Sequence, residues 1–189
     1  METAILTGIG LAAPAGLNAY VPLLVLALAD RATTYVNLST PYDALSSNVG
    51  IAIIVVLLTI EIAVDKVPGL DHANDIVQSF VRPAAGAIVA LASTSGLVTV
   101  NPAVMVLLGL VLAGSVNAVK VTTRPVVTVG TGGILNPFVS IGEDVLATFA
   151  SLAAIFVPAL VLVFLAIFAV SSILLLRRLR QSRASGGQQ

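Results

Sequence analysis

The run VGIAIIVVLLTIEIAVDK, residues 49–66, decides the fold. It is almost unbroken in Ile, Val and Leu until Glu61, and a helix that is apolar all round belongs in a membrane or a deep core rather than at a water surface. Pro68-Gly69 stops it. Working outward, the same texture recurs in charge-free windows at 3–29, 44–60, 83–119 and 145–176. About 20 residues of helix cross a hydrocarbon core of ~30 Å, so each window holds at least one crossing, and the third approaches two. Of the 189 residues 58% are hydrophobic and 10% charged, with mean hydropathy +1.07. A soluble domain carries roughly 25% charged residues, so a soluble globule is excluded.

The charges exclude further classes. Nine basic residues balance nine acidic ones, and no basic strip interleaved with aromatics is present, which rules out nucleic acid as a main partner. With no cysteine and the single His72, a disulfide framework or thiolate metal site cannot form. Ala12-Ala13-Pro14-Ala15 looks like a cleavage site, but the window before it starts after Glu2 and not after a basic region, so it reads as a retained helix.

The expected fold is an all-α polytopic membrane protein with five to six transmembrane or re-entrant helices. Helix one, about 4–29, is broken around Asn18 by Pro14, Gly16 and Pro22. Helix two follows over 49–66. Residues 71–81 read as an amphipathic interfacial or re-entrant segment, and Pro83 opens a short third helix ending near 93–96. Asn101-Pro102 opens a fourth that continues to about Val121. Residues 122–142, with Arg124-Pro125, Gly130, Gly132, Gly133 and Asn136-Pro137, read as non-helical. Ser140 and Glu143 have capping-box spacing before the last apolar stretch. That stretch either kinks at Pro158 or turns back there. The positive-inside rule favours the turn, and six segments with a cytoplasmic basic tail at 177–189. Residues 1–176 form one membrane domain, in which 48–96 and 101–156 are candidate repeat units of helix, irregular segment and short helix, an arrangement that transporters build from repeats.

Four sets of residues could carry chemistry. Glu61 and Asp65, four apart, share a helix face where a lone carboxylate in hydrocarbon costs at least ~2.5 kcal/mol, so they must face protein, water or a cation. Two adjacent carboxylates repel, and sharing a proton relieves the repulsion, as a proton-carrying site requires. Asn117, Lys120 and Arg124 form the complementary stripe, provided the helix continues that far; they either pair with the acids or bind an anion. Arg82, at an expected helix N-terminus, would join free backbone N–H groups around a phosphate or carboxylate, or else reach for the lipid headgroups. Asp71, His72 and Asp75 have spacing that weakly suggests metal ligands, though capping and the helix dipole explain both acids.

Glu61-x-x-x-Asp65-Lys66-x-Pro68-x-x-Asp71, Arg82-Pro83-x-x-Gly86, Asn136-Pro137-Phe138 and Glu143-Asp144 together resemble an uncharacterised bacterial integral-membrane family, domain of unknown function 4126. The resemblance spans nearly the whole chain and departs at Asn18, where relatives carry a basic residue. It implies a bacterial inner-membrane location and draws attention to these residues, and it implies no reaction. The functional expectation is a small transporter, proton-coupled, for an anionic small molecule or a lipid phosphate, with Glu61, Asp65, Lys66, Arg82, Asn117, Lys120, Arg124, Glu143, Asp144 and Asn18 as transport residues. No cofactor and no catalytic motif are read. The partners are the lipid bilayer, protons and the substrate, with a homo-oligomer open. Two other classes compete: a membrane scaffold or assembly subunit whose charges form fixed pairs, and a metal-dependent intramembrane hydrolase.

Overall fold

Helices α1 (Glu2–Ala15), α2 (Tyr20–Ala32), α3 (Asn48–Val64), α4 (Leu70–Ser93), α5 (Pro102–Thr131) and α6 (Asn136–Phe156), with a short 3-10 helix at Tyr42–Ser46, make up the regular structure of a computed structural model. It describes residues 2–65, 70–161, 163, 166, 167 and 170, with the backbone alone for 70–73 and 126. Lys66, the side chains of Asp71 and His72, and the basic tail fall outside the described residues. Three helices, α4 from Asn74, α5 and α6, are long and apolar enough to cross a membrane, and α3 is a shorter apolar helix of 17 residues.

Helix α3 shows which solvent the fold requires. Only Ile54 and Glu61 are buried on it, while Val49, Ile53, Val56 and Ile60 are each more than half exposed. In water that arrangement is inverted; in hydrocarbon, where the apolar side chains face lipid and the carboxylate faces protein, it is the favourable one. The chain is an all-helical polytopic membrane protein.

Residues 2–32 are not one interrupted crossing. Gly8 packs on Ala90 of α4, Gly10 on Ala154 of α6, and Asn18 reaches Asp144 near the start of α6, so α1 runs antiparallel to both. The chain then reverses. Asn18 Oδ1 accepts from the backbone N–H groups of Tyr20 and Val21, both at 3.0 Å, capping the start of α2. Just beyond α2, the Tyr35 ring meets Phe156, at the other end of α6, edge-on at 5.6 Å, and Ser39 N donates to Ser95 Oγ. Both short helices therefore have their outer ends on one side of the molecule and their shared turn at 16–19 on the other. Helix α3 starts beside Arg31, which donates to Asn48, and runs to the turn side; α4 runs back, α5 down and α6 back again.

Two expected breaks are absent. Residues 71–81 and the helix expected from Pro83 are one continuous α4 with Pro83 inside it. Helix α5 likewise passes through Pro125 to Thr131. Each proline removes one helical hydrogen bond, a loss that packing against neighbouring helices makes tolerable in a membrane bundle. Helix α5 ends instead where Gly132 and Gly133 take φ of +60° and +81° and both donate to Thr128 O, a left-handed C-terminal cap that needs residues without Cβ. Asn101 and Pro102 open α5 as expected, Asn101 Oδ1 accepting from Ala103 N at 2.9 Å. Helix α6 ends at Phe156. After the break at Val157-Pro158, Val161 lies with Ala154 against Gly10; the choice between a kink and a turn back rests on the stretch up to 176, most of which is outside the described residues.

The centre is packed with small residues. Gly86 of α4 and Gly109 of α5 meet so closely that a Cβ on either would strike the other's carbonyl oxygen. Without a hydrophobic drive between helices in lipid, this close approach of backbones supplies the packing energy.

Candidate functional site

The turn side of the bundle gathers most of the internal charge. Glu61 and Asp65 sit one helical turn apart at the end of α3. Asp75 and Arg82 sit two turns apart on α4, and Asn117, Lys120 and Arg124 form the stripe on α5. The stripe holds because α5 continues past Val121. Helix α6 adds Ser140 and Glu143, and the α1–α2 turn adds the carbonyl of Leu17.

These groups form one network. Arg82 donates to Glu61 and to Asp75, both at 3.2 Å, and to Asn117 Oδ1 at 2.9 Å. Arg124 bonds Asp75 at 2.8 Å, Asp65 at 3.1 Å and Glu143 at 3.1 Å. Lys120 Nζ lies 2.9 Å from Glu143 Oε2 and 3.7 Å from Asp65 Oδ2, and donates to Leu17 O at 2.7 Å. Asn74 Nδ2 donates to Asp65 Oδ1 at 2.7 Å, and Ser140 Oγ reaches Asp65 Oδ2 at 3.5 Å. Arg82 is fully buried, and the most open of the ion-paired side chains, Glu143, is 15% exposed. Ions removed from water at several kcal/mol each persist only with this density of partners.

The balance is uneven. Among the described residues four carboxylates (Glu61, Asp65, Asp75, Glu143) face three cations, and Glu61 Oε2 is buried with no hydrogen-bond partner there.

The structure reassigns several expected roles. Asp65 does meet Lys120 and Arg124, but the ion partner of Glu61 is Arg82. Arg82 lies inside α4, so it has no free helix N-terminus beside it and points at carboxylates rather than headgroups. Ser140 and Glu143 do not cap a helix, because α6 has already begun at Asn136. Asp75, singled out only as a weak metal ligand, binds two arginines. Among the described residues no group of three His, Cys, Asp or Glu could hold a metal ion. Asn18 and Asp144 pair with each other, Asn18 Nδ2 donating at 2.9 Å. Sequence reasoning missed Asn74 and Leu17; the i, i+7 spacing of Asp75 and Arg82 was the signal that would have joined those two, had α4 been read as continuous.

A crevice of about 330 Å³ adjoins the network between α1, α5 and α6. Its walls are aliphatic, including Pro14, Leu112, Val116 and Leu146, and Lys120 with Glu143 stands at its turn-side end.

No curated protein and no solved structure matches the chain. A family's sequence model does match, over residues 5–178, a span that includes every residue of the network. The chain therefore belongs to the family described as Domain of unknown function (DUF4126).

Proposed function

We propose that the chain is a small proton-coupled transporter of the bacterial inner membrane, in which the α1–α2 pair is a re-entrant hairpin and α3–α4 and α5–α6 are repeat units around the charge network. The observation that carries this reading is the surplus carboxylate in a buried network next to an open crevice. A buried negative charge without a partner is too costly to keep, so the network needs a proton or another cation, and a group that exchanges one for the other couples their movements. The two repeat units support the reading, since each descends to the network and returns from it, and transporters place their sites where repeats meet.

Vesicles containing the purified protein and an internal pH dye, acidic inside, test the coupling. Adding amphiphiles of each charge type outside should produce protein-dependent internal alkalinisation with at least one of them. Glu61→Gln should abolish it, since glutamine keeps the shape but carries no proton. Undiminished flux in that variant removes Glu61 from the mechanism. No flux with any amphiphile favours the scaffold reading, which the full burial of Arg82 between its partners also supports.

The cytoplasmic placement of the basic segment rests on Arg177, Arg178, Arg180 and Arg183, which directly follow the last apolar run. A reporter fused after Gln189 should be active only in its cytoplasmic form; activity only outside contradicts the six-segment topology.

A further inference from the structure

We propose that the crevice between α5 and α6 binds an amphipathic organic cation, with its positive head at Glu143 and its apolar body against α1. This rests on the transporter reading and names the substrate class that the same site would take.

The shape comes first. Helices α5 and α6 are joined by the short turn after Thr131 yet barely touch each other, and both lean on α1. The space left between them, about 330 Å³, falls in the range of small-molecule sites. Its surface is almost wholly aliphatic, with Lys120 and Glu143 as the charged residues that line it. A ligand that fills it needs a bulky apolar body and one charged end.

The sign of that charge follows from how the pair is held. Lys120 is turned inward: its side chain is 1% exposed, and Nζ is engaged by Glu143, by Leu17 O and more loosely by Asp65. Glu143 is the open member of the pair, and it contacts both Lys120 and Arg124 through Oε2. Its Oε1 makes neither of these contacts and is available to a ligand. Thr123, also on the crevice wall, directs its hydroxyl to the carbonyls of Val119 and Lys120 and offers no donor to an anion. An anionic head would have to displace Glu143 from two cations and enter a network that is already negative. A cationic head meets a carboxylate backed by that surplus. Small hydrated metal cations are disfavoured, because the aliphatic walls cannot replace their water. A cation whose charge is spread over apolar groups loses far less on entry.

The probe is tetraphenylphosphonium, measured by equilibrium dialysis against the purified full-length protein in an uncharged detergent. Saturable binding in the micromolar range is expected, weakened about tenfold or more by Glu143→Gln. Because that substitution also loosens two buried pairs, Ala150→Phe provides a second variant: it fills the crevice and leaves every charge in place, and it should weaken binding to a similar degree while keeping a cooperative melt. Dodecyl phosphate should not compete. Failure of the wild-type protein to bind, equal binding by wild type and Ala150→Phe, or displacement by dodecyl phosphate overturns the proposal. Binding without proton-driven uptake upholds this site and defeats the transporter reading; proton-driven uptake of another compound without tetraphenylphosphonium binding does the reverse.

Discussion

Replacing Arg82 by methionine should destabilise the protein by about 3–5 kcal/mol, the range found when one partner of a buried ion pair is removed. Methionine retains much of the length and apolar volume, so the change falls on charge rather than packing. Arg82 is fully buried and is the only ion partner of Glu61 among the described residues. Asp75 keeps Arg124, and Asn117 loses its donor. The penalty is therefore concentrated at Glu61. It follows that Glu61→Gln, added to Arg82→Met, should restore part of the stability, and the double variant should cost less than the sum of the singles. Thermal melting in detergent measures all three. Strict additivity would mean that the two residues do not share an interaction.

The second large effect is expected at the crossing of α4 and α5. A Cβ at Gly109 would overlap Gly86 O and lie 2.7 Å from Ala87 Cα, and one at Gly86 would lie 2.7 Å from Gly109 O. These obstacles are backbone atoms and cannot rotate away, so Gly109→Val must push the helices apart. Overpacking of this kind costs about 1–3 kcal/mol or more. Here the upper end is expected, because Arg82 lies one turn from Gly86 and Asn117 two turns from Gly109, and their 2.9 Å bond spans the same interface. Gly114 on the same helix is the control. The nearest atom to a Cβ there is Pro83 Cγ at 3.8 Å, so Gly114→Val should stay within about 0.5 kcal/mol of wild type. Equal losses at the two glycines would show that the close crossing does not hold the bundle together.

How much of this was legible depended on whether one segment sufficed to decide the question. Helix α3 was readable almost to its ends because it is apolar on every side, and the acidic and basic stripes were readable because spacing along a single helix defines a face. The reversal at Asn18 was not. Pro14, Gly16 and Pro22 serve a kink as well as a turn, and the choice is made by where α1 and α2 lie along α6. In the sequence Pro83 and Pro125 read as boundaries, since proline does break isolated helices, whereas in this bundle α4 and α5 pack on each other and both helices pass through them. That misreading hid the shared face of Asp75 and Arg82, and so moved Arg82 to a helix end. The pairing of Glu61 with Arg82 rather than Lys120 depends on three helices at once, which no single-segment pattern encodes.

In the proposed transporter the surplus negative charge of the buried network is balanced in turn by a proton and by a ligand cation. Proton counting tests it most directly: tetraphenylphosphonium is added to the purified protein in weakly buffered solution, and the pH change is titrated back. If a ligand cation at Glu143 replaces, through the shared network, the proton that Glu61 carries, binding should release about one proton per ligand bound, by linkage, and Glu61→Gln should release none. Saturable binding with no proton movement, or an unchanged release from Glu61→Gln, would contradict it.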